Sequence, residues 1–214
     1  MELPVRSGHD LRDTRVDHPV TASDLVFDGM IWGIRRETVD LGAAGPVTRE
    51  FMDHTGAVAV VALREIDGVD HIVLIQQYRH PVRTLEWELP AGLLDVEGEP
   101  PWRTAVRELA EEVDLRAGRW DVLIDFFSTP GGSSEALRVF LARHVDETVS
   151  AFARKGEEAG ITGAWVPLEE AYTAVLAGQL HNPGAVVGIM AAWGARERGW
   201  ETLRPRDTPW PWHA

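Results

Sequence analysis

Residues 92–115 read GLLDVEGEPPWRTAVRELAEEVDL: a glycine-punctuated loop running into a helix that carries Glu108, Glu111 and Glu112. Pro100 and Pro101 suit a helix start, because the first N–H groups of a helix lack intrahelical partners in any case. At about 100° per residue, Glu111 and Glu112 fall on either side of Glu108, while Val106, Leu109, Ala110 and Val113 occupy a different side. One face is apolar and the adjoining face is acidic. Like charges at i, i+3 and i+4 destabilise an isolated helix by roughly 0.2–0.5 kcal/mol per pair, so some group should offset them. A divalent cation is one candidate. From the helix alone, a solvated charged face is the favoured reading.

What precedes the helix shifts the balance. Glu88-Leu89-Pro90-Ala91-Gly92 reads as a strand end turning into a loop, so backbone carbonyls near Ala91 can face the carboxylates. Magnesium and manganese take oxygen ligands, a few from carboxylates and the rest from water and substrate phosphate. A loop carbonyl with two or three helix glutamates meets that need.

With Gly92, Glu99 and the run Arg107-Glu108-Leu109-Ala110-Glu111-Glu112-Val113-Asp114-Leu115, the stretch resembles the Nudix box of the nucleoside diphosphate hydrolases. The family pattern is Gly, five residues, Glu, seven residues, then Arg-Glu-apolar-any-Glu-Glu-any-Gly-apolar. Two departures stand out: six residues separate Gly92 from Glu99, and Asp114 replaces the last Gly. The first puts Glu99 in doubt as a functional match. The second touches only the helix ending, since Asp tolerates left-handed backbone better than most residues.

The resemblance implies an α/β (α+β) fold, an α/β/α sandwich around a mixed β-sheet, with a small N-terminal β-sheet domain. It also implies metal-dependent hydrolysis of a nucleoside diphosphate linked to another group. Ala91 (by its carbonyl), Glu108 and Glu112 are then expected as ligands of Mg2+ or Mn2+, with Glu111 beside them as ligand or water contact. Arg107 is expected to orient a glutamate rather than to touch substrate; an ordinary surface ion pair is its plainer reading.

Further features resemble the ADP-ribose pyrophosphatase subfamily. Gly156-Glu157-Glu158-Ala159-Gly160 lies where that subfamily carries a mobile loop with a catalytic glutamate, so Glu157 or Glu158 is the expected base; a solvated acidic turn is the alternative. Pro130, in Ser128-Thr129-Pro130-Gly131-Gly132, stands 15 residues after Leu115, where a proline marks preference for ADP-ribose in the subfamily. Alone, Pro-Gly-Gly is also a plain turn. Glu88 and Arg79 belong to stretches that look like the same subfamily, and an arginine fork at Arg79 suits a phosphate. Ser133, Ser134 and Glu135 are expected near a ribose hydroxyl. Trp32 is a candidate for stacking on adenine across a dimer, set against a core role. The implied substrate is ADP-ribose, cleaved to AMP and ribose 5-phosphate. The alternatives are another nucleoside diphosphate sugar or dinucleotide of the GDP-mannose, NADH or FAD type, or a non-catalytic ADP-ribose sensor.

Composition bounds the rest. The chain has 214 residues, 44% of them hydrophobic, enough for a real core. A net charge of -13 argues against nucleic acid, whose binding needs a basic footprint. There are no cysteines, hence no disulfides and no thiolate metal site. The polar start shows no apolar signal core and no apolar run reaches bilayer length, so no membrane partner and a cytoplasmic location are expected. Residues 1–24 read as a flexible arm, 25–55 as β-strands that form a homodimer, 56–204 as the hydrolase domain and 205–214 as a tail. Strands are expected at Val26–Arg35, Arg36–Leu41 and Val47–Asp53, then a hairpin around Asp67-Gly68, strands Trp120–Phe127, Leu137–Ala142 and Ala164–Val166, and helices Leu168–Leu176 and Pro183–Arg198. Trp165 and Trp193 read as core, and the Pro/Trp-rich tail as a loop or docking strap.

Overall fold

The computed structural model describes residues 3–5, 7–154 and 160–213. The chain divides into two units, Met1–Met52 and Asp53–Ala214. In the first, β1 (Val20–Asp28), β2 (Gly33–Asp40) and β3 (Pro46–Asp53) form a sheet in the order β1-β2-β3, with β1 and β2 antiparallel. Two expectations are corrected here. Strand structure begins at Val20, inside the expected arm, and the expected strand Val26–Arg35 is broken by a turn. Asp28-Gly29 is the turn signal: the Gly29 N–H donates to the Trp32 carbonyl at 3.0 Å, and a Cβ on Gly29 would lie 2.5 Å from that oxygen. Trp32 therefore sits in the turn, half-buried, not in a strand.

The second unit is built around β4 (Ala57–Ile66), whose run AVAVVAL is buried on both faces. Strand period two sends Ala57, Ala59, Val61 and Leu63 to one side, against α2 (Leu168–Leu176) and α3 (Pro183–Glu197) through Leu168, Ala171, Ala185 and Ile189. Val58, Val60 and Ala62 go to the other, against Ala105 and Leu109 of α1 (Pro101–Val113). That alternation is the physical origin of the three layers. The remaining strands are β5 (Val69–Arg79), β6 (Thr84–Glu88), β7 (Ala91–Leu93), β8 (Leu115–Phe127), β9 (Ala136–Glu147), β10 (Thr162–Pro167) and β11 (Arg204–Pro205). The sheet order is β10-β5-β4-β9-β8-β11, with β6 on β5 and β7 on β4. It is mixed: β4 runs parallel to β9, pairing Ala57 with Leu137 through Ala62 with Ala142, while β5 and β7 pair with β4 antiparallel. Trp165 and Trp193 pack as partly buried residues against opposite faces of this core.

α3 approaches the sheet closely because Gly188 lies on it; a Cβ there would come 2.6 Å from Leu89 Cδ1. The tail is a docked strap. Arg138, 2% exposed, donates to both carboxylate oxygens of Asp125 and to the carbonyls of Thr208 and Pro209, and its guanidinium lies 4.7 Å from the Trp210 ring centroid. No helix among the described residues is long and apolar enough to cross a membrane.

Candidate active site

α1 places the acidic face against β7. Its N-terminus carries Pro101 at the first helical turn, and it ends at Asp114, whose backbone is left-handed (φ 56°) with its N–H donating to the Ala110 carbonyl. Glu108 and Glu112, one turn apart, are only 9% and 8% exposed. The Ala91 N–H donates to Glu112 Oε2 at 2.9 Å. A Cβ on Gly92 would lie 2.1 Å from the Glu108 carboxyl carbon and Oε1, so only glycine lets the chain pass this close. β7 is held there by its ladder to β4, Val58 opposite Gly92 and Ala59 opposite Ala91. Glu111 stays more exposed beside them.

Arg107 gathers three glutamates. Its Nη1 donates to Glu108 Oε1 at 2.6 Å and to Glu111 Oε2 at 3.3 Å, and its Nη2 to Glu99 Oε2 at 3.4 Å. Burial disfavours the charged guanidinium, but attraction by Glu108, Glu99 and Glu111 outweighs it and raises the arginine pKa. Glu99, doubtful from its spacing, is thus brought to the site; Thr104 Oγ1 also donates to it at 2.9 Å. The longer loop still delivers this carboxylate to Arg107.

Arg79 and Glu88 meet as a fork on a carboxylate, at 2.7 Å from Nε and 2.6 Å from Nη2. The register of β5 and β6 sets the pair, with Ile75 opposite Glu88 and Arg79 opposite Thr84. Glu88 is 3% exposed, and both of its carboxylate oxygens accept from the Arg79 guanidinium. The bonds to Glu88 raise the Arg79 pKa most, and Glu112 contributes, so the arginine lies within the field of the acidic helix.

Pro130 is exposed in the turn after β8, where the Thr129 carbonyl accepts from the N–H groups of Gly132 and Ser133. Ser133 is buried and its Oγ accepts from the Glu135 N–H at 3.1 Å. Glu135 accepts from Ser128 Oγ and faces His54. Sequence reading missed His54, because a lone histidine at a strand end carries no signal. Asp114 has a role its αL backbone does not reveal: its carboxylate accepts from the Phe152 N–H at 2.6 Å and from Arg154 Nη2, while Arg154 Nε donates to the Glu112 carbonyl. These bonds, the Phe152 amide first, hold the Asp114 carboxyl below its usual range. Glu157 and Glu158, the expected bases, lie outside the described residues.

The residues fit a hard divalent cation. Five carboxylates (Glu88, Glu99, Glu108, Glu111, Glu112) face two guanidiniums, an excess of negative charge around oxygen donors and a glycine cradle. Glu108, Glu112 and the Ala91 carbonyl are the groups that could hold it, with Glu111 adjacent. Among the described residues no three His, Asp or Glu side chains close into a preformed cage.

Comparison with known proteins agrees with this geometry. Residues 53–185 match the NUDIX domain, starting where the second unit starts. The ADP-ribose pyrophosphatase of Mycobacterium tuberculosis is 44% identical over 194 residues, 91% of each chain. The ADP-ribose pyrophosphatase of Bacillus subtilis is 34% identical, covering 61% of this chain and 68% of its own. A crystal structure of an ADP compounds hydrolase superposes with a TM-score of 0.70 at 18% identity, over 88% of this chain and 99% of that one, which speaks to the fold. The glutamate helix against its glycine cradle is thus a Nudix box, and the chain belongs to the Nudix family.

Proposed function

We propose that this Nudix hydrolase cleaves the pyrophosphate bond of ADP-ribose, giving AMP and ribose 5-phosphate, with Mg2+ or Mn2+ as its metal. The observation that carries this reading is the seating of buried Glu108 and Glu112 on Ala91-Gly92. The relatives named for ADP-ribose support the choice of substrate.

A pyrophosphate repels an incoming nucleophile, and a bound divalent cation supplies the charge that offsets this. The chain's part is to hold and orient. Glu108, Glu112 and the Ala91 carbonyl hold the ion. Arg107 fixes Glu108 and draws in Glu111 and Glu99. Arg79, held by Glu88, offers its remaining N–H groups to phosphate. Water adds to one phosphorus as the bridging P–O bond breaks, and Glu157 or Glu158 takes the proton of that water. Pro130, Ser133 and Glu135 border the sugar end, and the protein works in the cytoplasm.

The chain acts as a homodimer through its first unit, whose Leu25, Val26, Phe27, Met30 and Ile31 are exposed; Trp32, in the same unit, stacks on adenine in that assembly. Sizing the full chain gives a dimer, and a monomer overturns this. With magnesium, a panel of ADP-ribose, NADH, ADP-glucose, GDP-mannose and FAD gives ADP-ribose the highest kcat/KM. Another compound at the head of that ranking replaces the substrate; binding of ADP-ribose without turnover makes the chain a sensor.

A further inference from the structure

The Ser128–Glu135 loop is fastened to the start of β4 by groups far away in sequence. His54 is the centre of that fastening, and its side chain is 4% exposed. Its Nδ1 accepts from the Gly56 N–H at 2.9 Å, which leaves the ring hydrogen on Nε2. That nitrogen faces Glu135 Oε1 at 3.4 Å, while Glu135 Oε2 accepts from Ser128 Oγ. One carboxylate thus joins both ends of the loop to one imidazole. The backbone adds a parallel tie, with the His54 N–H donating to Ser134 Oγ at 2.9 Å.

The strap closes the other side. His213 Nε2 lies 2.8 Å from the Thr55 carbonyl, and its ring covers Gly56 so closely that a Cβ there would come 2.7 Å from Cδ2. Gly56 has φ 86°, so glycine is required on two counts. Trp210 stacks on the His213 ring and is itself held by Arg138, and Trp212 meets Phe127, the residue before Ser128, edge to face. A buried arginine, three rings of the tail and a buried histidine therefore converge on one loop.

We propose that His54 is a positioning residue for substrate binding: it acts through Glu135 to hold the Ser128–Glu135 loop, and the C-terminal strap holds His54 through Thr55 and Gly56. The proposal rests on the reading of this loop as a wall of the ADP-ribose site. A loop that binds substrate and transition state equally affects KM and leaves kcat alone.

Steady-state kinetics on the full chain with ADP-ribose and magnesium test it. His54→Asn keeps an acceptor for Gly56 but is too short to reach Glu135; it raises KM about tenfold with kcat within about twofold. His54→Gln restores reach to Glu135 and brings KM back to within about threefold of wild type. Ser128→Ala leaves the buried ring untouched, raises KM about threefold, and decides the matter if the His54 variants do not fold. The magnesium concentration for half-maximal rate stays unchanged in all three. An unchanged KM in the variants that fold, a Gln variant no better than Asn, or a shift in magnesium requirement in place of KM overturns the proposal. A wild-type chain that does not turn over ADP-ribose overturns the functional reading first, and this proposal with it.

Discussion

The acidic wall of α1 and the Ser128–Glu135 loop are built in opposite ways. At the acidic wall, contacts are short in sequence: Arg107 reaches Glu99, Glu108 and Glu111, and Glu112 meets Ala91, all within one loop and one helix. At the Ser128–Glu135 loop, partners come from His54, more than seventy residues before, and from the strap about eighty residues after. The first is a local device that a short sequence pattern can encode. The second exists only once the sheet has closed and the tail has docked, so it should be the more sensitive to changes elsewhere in the fold.

The largest effect is expected where the local wall is tightest. Gly92→Ala drives a methyl group into the Glu108 carboxylate, and displacing that group by about 1 Å should lower kcat about a hundredfold while the protein remains folded by circular dichroism. Near-normal turnover would show that the cradle does not set the position of Glu108. Glu88→Gln comes next: it keeps the shape but removes the charge under Arg79, and kcat/KM for ADP-ribose should drop about tenfold. An equal loss in Arg79→Ala alone and in the double variant would confirm that the two act as a pair, whereas additive losses would separate them.

The smallest effect sharpens the contrast through pH. Burial lowers the His54 pKa from its ordinary 6.5, against the opposing pull of Glu135. Between the folded and unfolded values the unfolded chain binds more protons, so this contribution to stability is present above about pH 6.5 and is lost as pH falls through the lower folded value. Denaturant unfolding followed from pH 7.5 downward should lose stability over that window in the wild type, and the slope should flatten in His54→Gln. Identical pH profiles would remove His54 as its source.

Sequence legibility divides along the same line. The helix was readable to within a residue of its ends, since Pro100-Pro101 and Asp114 are local signals, and the hairpin of β4 and β5 followed from Asp67-Gly68. β8 begins at Leu115, directly after the helix cap, although Arg116-Ala117-Gly118-Arg119 lacks an apolar alternation to announce it. Arg138 gave no hint of burial, because an arginine in a strand ordinarily faces water and its partners Asp125 and Trp210 are set by register and by the docked tail. Glu88 and Glu135 were recognisable as site residues by type. That each also holds a neighbour, Arg79 or His54, depends on β5–β6 register and loop closure, which no spacing reports. Asp114 shows the reverse: its departure from the pattern reads as a mere helix ending, yet it ties Phe152 and Arg154 to α1.

On the proposed function, Glu108 and Glu112 on their glycine cradle hold the metal used for hydrolysis. Titration with Mn2+, read by loss of the free-ion paramagnetic signal and paired with turnover of ADP-ribose, tests it in the wild type and in the Glu108→Gln, Glu112→Gln double variant. The wild type is expected to bind Mn2+ and hydrolyse, while the folded double variant loses measurable binding and about a thousandfold or more in kcat. Unaltered Mn2+ binding, or a loss of turnover of about tenfold or less, would contradict it.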